Sequence, residues 1–259
     1  MKLTAPVPGG PCWIELSTSD VPAAKSFYTA LFGWRCETDP REEAGGYTMA
    51  RLGDARVAAL SPVYQPGQPP AWTVSFAADD TDAVAEKAKA AGGTLLVGPM
   101  DVFEEGRFAV LTDPSGAVFS LWQGRAFAGA DLFNEPGALG WTELATRDRD
   151  TALTFYDDVF GWSVTPSDTY PQWGVDGADF GGLLAMEGNI PPEVPPHWLP
   201  YIAVSDVDAT AATAQSGGGD LLMPPTDIAH GRRIAVVRDP QGAAFGIHRA
   251  GDEGQDPPR

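Results

Sequence analysis

Two glutamates of this 259-residue chain stand in the same local setting: Glu15 in Trp13-Ile14-Glu15 and Glu143 in Trp141-Thr142-Glu143. A carboxyl group beside an indole wall loses water, which favours its neutral form and raises its pKa. Such a group can act as a general base, a general acid or a hydrogen-bond acceptor. The competing use is structural, because a buried carboxylate must be compensated. Arg107 or Arg233 on a nearby strand could supply the compensating charge. Other chemistry is thinly represented. The histidines are His197, His230 and His248; a surface or structural role is the ordinary reading, and a two-residue His248–Glu143 metal site is disfavoured because two ligands rarely hold zinc or iron. Cys12 and Cys36 form no CxxC pair and no disulfide framework. There is no GxSxG, and the glycine runs at 9–10, 45–46 and 217–219 read as turns or helix ends, outside any strand–GxGxxG–helix unit.

The elements that position these residues come twice. Trp13, Glu15, Leu16, Thr18, Asp20, Phe27-Tyr28 and Phe32-Gly33-Trp34 recur 128 residues later. Beyond them the offset becomes 126, matching Trp72 with Trp198, Asp80 with Asp206 and Asp113-Pro114 with Asp239-Pro240. Chance does not hold one register over a hundred residues, so the chain is an internal duplication. Each half reads as strand, helix, short strands, then the same again. Alternation over 12–18 makes a strand. Asp20 caps a helix with Pro22 in its first turn, Ala24, Phe27, Tyr28 and Leu31 follow at helical spacing, and Gly33 ends it. Short β-like runs cover 34–37, 47–52 and 56–60. After a proline-rich break, Trp72–Ala77, a helix over 81–91 and strands at 94–97, 107–112 and 118–123 form the second unit, with a turn at Asp113-Pro114-Ser115-Gly116. The units cover about 12–62, 71–125, 139–188 and 197–250. The expected domains are 1–125 and 139–250, with a linker at 126–138 and a flexible tail at 251–259.

Four βαβββ units, the Asp20…Phe27-Tyr28…Phe32-Gly33-Trp34 pattern and the terminal Asp-Pro-x-Gly-x-x-Phe resemble the vicinal oxygen chelate superfamily. That superfamily includes glyoxalase I, extradiol dioxygenases and the bleomycin- and fosfomycin-resistance proteins. The chain is similar to its two-domain actinobacterial glyoxalase-like members, often labelled hydroxylases. The resemblance implies an α+β fold of two tandem glyoxalase-like domains, in which paired units close a sheet into a cup. In metal-dependent members His or Glu side chains line the cup. Carried across, their positions fall on Trp13, Ala59, Thr73 and Ser120 in the first half, and on Trp141, Gly182, Leu199 and Gly246 in the second. A divalent ion needs about three lone-pair ligands with an open position, and none of these eight residues is His, Glu, Asp or Cys. A two-residue shift keeps the face and brings in Glu15, Glu143 or His248.

Strand alternation places Ile14, Leu16, Phe119 and Leu121 against the helices. Trp13, Glu15, Ser120 and Trp122 then face the first cup, and Trp141, Glu143, Tyr201 and His248 the second. The tryptophans either fill each cup as core or form an aromatic wall for a ligand. The functional reading makes Glu15 and Glu143 catalytic, with Trp13, Thr73, Ser120, Trp122, Trp141, Tyr201 and His248 binding a small apolar or aromatic molecule. It expects no cofactor; the alternative is a divalent metal such as Zn, Ni or Fe, in a lyase or dioxygenase of the glyoxalase I type. A further alternative is a non-catalytic sequestering protein, so enzymatic status stays open. A net charge of 17 − 35 = −18 repels phosphate backbones and anionic lipid, which argues against nucleic acid and membrane partners. The first residues carry no apolar signal segment, so a cytoplasmic monomer or homodimer is expected.

Overall fold

The computed structural model describes residues 6–187 and 190–251. The tail expected to be flexible lies, beyond Gly251, outside the described residues. The first half contains β1 (Pro11–Thr18), α1 (Val21–Phe32), β2 (Arg35–Thr38), β3 (Thr48–Leu52) and β4 (Ala55–Pro62). It continues with β5 (Ala71–Ala77), α2 (Thr81–Ala90), β6 (Thr94–Val102), β7 (Gly106–Thr112) and β8 (Val118–Gly124). The second half repeats this as β9 (Leu139–Thr146), α3 (Arg149–Phe160), β10 (Ser163–Thr165), β11 (Gln172–Val175) and β12 (Ala178–Ala185). Its last unit is β13 (His197–Val204), α4 (Val207–Ser216), β14 (Asp220–Asp227), β15 (Arg233–Arg238) and β16 (Ala244–Arg249). The expected α+β class with four βαβββ units is the observed one.

All four helices start alike. Asp20, Asp80, Asp148 and Asp206 each accept a hydrogen bond from the backbone N–H three residues on, which satisfies a donor the helix itself cannot pair. Gly33 and Gly161 end α1 and α3 in the left-handed conformation, at φ 71° and 69°, which a side chain would disfavour.

Each half makes one eight-stranded sheet, in the orders β2-β3-β4-β1-β5-β8-β7-β6 and β10-β11-β12-β9-β13-β16-β15-β14. The two units of a half join at the antiparallel β1–β5 and β9–β13 pairs, so the first strand of each unit is central. Central strands carry Glu15 and Glu143, placing both at the middle of a curved sheet.

The helix-side faces of the two sheets share one hydrophobic core. Its signature aromatics cross between halves: Phe76 stands 5.0 Å from Trp162 and 5.1 Å from Trp198, and Phe245 stands 5.4 Å from Tyr28 (ring centroids). Trp72 Nε1 donates to Tyr28 Oη (3.0 Å), which donates to Asp239 of the other half (2.9 Å). The mirror chain runs from Trp198 to Tyr156 (2.8 Å) and on to Asp113 (3.3 Å). Buried polar groups in so apolar a core must be paired, and these two chains pair them across the duplication. The Asp113 carboxylate also accepts the backbone N–H groups of Ser115 and Ala117, holding the expected turn.

The segment between the halves is packed as well. Phe127 and Ala130 are buried against Cys12 and Trp13, and Asp131 pairs with Arg56 at 2.8 Å. The stretch read as a linker thus closes one end of the first cup.

Candidate functional site: two cups of unlike chemistry

Period-two alternation puts the expected side chains on the concave faces. In the first cup, register sets Ala59, Glu15 and Thr73 side by side, with Trp13, Ser75 and Ser120 in the next row. Trp13 is buried, packs edge-on against Phe127 (centroids 4.8 Å apart) and donates from Nε1 to Tyr47 Oη at 3.1 Å. Trp122 is half-buried, stands 5.7 Å from the Phe127 ring and donates to its carbonyl at 2.8 Å. Ser75 and Ser120 share a hydrogen bond of 2.6 Å between hydroxyls. Half-buried Glu15 accepts from Ser61 Oγ at 2.8 Å and, on the same oxygen, from Tyr64 Oη. Tyr64 is 68% exposed, so it reaches over the carboxylate from solvent.

In the second cup the rows are Gly182, Glu143, Leu199 and Trp141, Tyr201, Gly246. Glu143 is buried and accepts from Tyr201 Oη at 3.2 Å, with Tyr170 a second hydroxyl donor. Trp141 Nε1 donates to Tyr170 Oη at 3.0 Å. His248 is buried against Gly140, where even a Cβ would collide with its ring. Burial drives its pKa down to about 4, so it is a neutral imidazole at pH 7.

No cation pairs with either glutamate among the described residues. The expected compensation by Arg107 or Arg233 is not what forms: Arg107 binds Asp82 and Asp101, and Arg233 binds Asp208 and Asp227. Both arginines belong to the helix-side rim, where the first-turn aspartates of α2 and α4 lie closer than the cup floor. Desolvation therefore dominates at both carboxyls and raises their pKa values, offset in part by the hydroxyl donors. A carboxyl group held by hydroxyls alone can take or give a proton without breaking an ion pair.

All nine expected site residues lie in the two cups. Tyr47, Tyr64, Tyr170 and Arg232 were missed. Tyr47 and Tyr170 are equivalents, each accepting the cup tryptophan's N–H, but they lie 123 residues apart. Tracking that offset through 47–59, where Ala59 also matches Gly182, would have found them. Clefts of about 310 Å³ beside Arg147 and Arg149, and about 290 Å³ beside Asp150 and Phe155, lie outside the cups.

The family model described as "Glyoxalase/Bleomycin resistance protein/Dioxygenase superfamily" matches residues 11–121 and 138–247. The chain is 42% identical over 248 residues to "Putative glyoxylase CFP32" of Mycobacterium tuberculosis, covering 92% of this chain and 94% of that one. It is 37% identical over 265 residues to "Anthracycline biosynthesis protein DauV" of a Streptomyces species, covering 95% and 94%. Among solved structures, the Mn(II)-bound glyoxalase from Novosphingobium aromaticivorans superposes with a TM-score of 0.65 at 18% identity, over 93% of this chain and 82% of that chain.

The last comparison corrects the expectation of no cofactor, because the same fold carries a divalent metal in that neighbour. The side chains of the present cups do not supply a ligand set for such an ion. Tyr170 and Tyr201 lay their rings on Gly182 and Gly246, two of the carried-over ligand positions, where a Cβ would clash. Among the described residues no three His, Cys, Asp or Glu side chains come together. The fold is shared with a metal-bound protein, while the side chains lining these cups are mainly hydroxyls, aromatics and one carboxyl each. The two matched repeats and the extent of both curated relatives place the chain in the glyoxalase/bleomycin resistance protein/dioxygenase superfamily, of which it is a tandem two-repeat member.

Proposed function

We propose that the cups bind a small apolar or aromatic molecule beside a carboxyl group that exchanges a proton with it. The observation that carries this reading is the setting of Glu15 and Glu143: each is desolvated, each is held by hydroxyls, and neither pairs with a cation among the described residues. A raised pKa brings a carboxyl towards the working range of a general base. The carboxylate would take a proton from an acidic C–H or O–H of the ligand, and the neutral acid would return it. The serine and tyrosine hydroxyls orient the carboxyl throughout. In the first cup Glu15, Thr73, Tyr47, Met49 and Trp122 are all half-buried and offer an accessible wall. A relative named for the biosynthesis of anthracyclines, which are planar aromatic compounds, supports that ligand class.

The test is titration of the intrinsic tryptophan fluorescence with a panel of planar aromatic phenols and ketones, followed by mass spectrometry of any bound compound after incubation in deuterated water. Saturable quenching is expected, with carbon-bound deuterium entering the ligand in the wild type and not in the Glu15→Gln, Glu143→Gln double variant. Binding with no exchange would reduce the cups to sequestering sites. No saturable binding by any compound would refute the reading.

A further inference from the structure

The two cups differ most at one pair of equivalent positions. Gly106 opens β7, and the ring of Trp122 lies so close that a Cβ there would strike it. The equivalent of Gly106, at the offset of 126 that also relates Arg107 to Arg233, is Arg232. The equivalent of Trp122 is His248, which turns onto Gly140 instead. The space an indole fills in the first cup is therefore left to a guanidinium in the second.

Arg232 is half-buried, with its guanidinium carbon 5.8 Å from the centre of the Trp141 ring. Its charge is felt at both Tyr170 and His248, so it stands over the cup and not outside it. Its neighbour Arg233 makes two ion pairs. Arg232 makes none among the described residues, and its Nε–H is buried with no acceptor. A buried guanidinium donor without an acceptor is unfavourable, and charge-assisted hydrogen bonds are the strong ones. Glu143 does not neutralise it: that carboxyl bonds to tyrosine hydroxyls, and burial favours its neutral form. Half-buried Ile234, Val236 and Ala244 pack beside Trp141 and give the same mouth an apolar side.

We infer that the second cup is a binding site for a planar aromatic compound bearing an oxyanion, with Arg232 as the group that receives the oxyanion and the Trp141–Tyr170 wall receiving the ring. The first cup lacks this cation and takes neutral ligands. The inference rests on the reading that the cups bind small molecules, and it adds the ligand charge and the cup. The net charge of −18 repels anions at long range. Any preference for an anion is then a local contact, not a general attraction.

The probes are 2-naphthoate and its neutral isostere 2-naphthamide, titrated calorimetrically into the full chain, with the indole N–H signals followed by NMR. Naphthoate should bind about tenfold more tightly than naphthamide, as one charge-assisted hydrogen bond supplies, and should shift the Trp141 indole signal. In Arg232→Met the two affinities should become equal within a factor of two. Arg232→Lys should keep part of the preference. Equal affinities in the wild type, a preference that survives Arg232→Met, or shifts confined to Trp13 and Trp122 would each overturn the inference. Binding of naphthamide alone would sink it while leaving the proposed small-molecule role standing, whereas binding of neither probe would overturn this inference, and silence of the phenol and ketone panel as well would remove both.

Discussion

His248 makes the stability of this protein depend on acid in a way that can be calculated. Its ordinary pKa of 6.5 falls to about 4 because burial at 6% exposure disfavours the imidazolium. Between those two values the unfolded chain binds a proton that the folded chain does not, so folding weakens as pH falls. The stabilising contribution is complete above pH 6.5 and drains away down to pH 4. The shift is 6.5 − 4 = 2.5. At about 1.36 kcal/mol per unit the full linkage is about 3 kcal/mol, most of it lost by pH 4, where the folded imidazole is half protonated. Urea unfolding at pH 7, 5.5 and 4 measures this loss in the wild type and in His248→Gln. The neutral amide carries no titration, so its stability should fall by about 3 kcal/mol less between pH 7 and pH 4. Its absolute stability at pH 7 is set by packing against Gly140 and does not enter the comparison. Carboxyls such as Glu15 and Glu143 titrate identically in both proteins and cancel. Parallel pH profiles for the two proteins would refute a buried neutral His248.

Glu143→Gln should gain stability relative to the wild type as pH rises above the ordinary carboxylate range. The raised pKa favours the folded state at low pH and that advantage is lost as the buried group ionises, so equal pH slopes in urea titrations would contradict the assignment. Gly246→Ala should destabilise by about 1–3 kcal/mol, because its Cβ meets the Tyr201 ring, and an unchanged thermal midpoint would contradict that packing. Tyr28→Phe should lose about 1–3 kcal/mol by leaving buried Asp239 and Trp72 without their shared hydroxyl, and an unchanged denaturation midpoint would show the halves are not held by that chain. Phe127→Ala should lose about 3–5 kcal/mol and open the first cup, read as enhanced iodide quenching of Trp13 and Trp122.

Much of the frame was legible without coordinates. Period-two alternation and the Asp-capped helices are local signals, and they place Trp13, Glu15, Trp141 and Glu143 on the cup side because a strand has only two faces. The duplication multiplied each signal by two. Most partners of those residues were not legible. Tyr201 was already on the cup side with Glu143, but the other partners, Tyr64, Ser61 and Tyr170, arrive from loops and a strand whose spacing slipped between repeats. The arginines judged able to compensate the glutamates went to nearer aspartates on the helix side. The linker at 126–138 carried no sign that Phe127 would seal a cup.

The sequence by itself determined the repeat, the βαβββ units, the α+β class and which strand face each site residue takes, since these depend on periodicity and on neighbours within a few residues. Tertiary structure alone decided that the two helix-side faces merge into one core, that hydroxyls and not cations hold the carboxyls, and that an indole fills one cup where a guanidinium enters the other. Those outcomes depend on which side chains from distant strands reach the same few ångströms of space. Packing there is exclusive: the ring of Trp122 or the chain of Arg232 can occupy that corner, and a single glycine decides which.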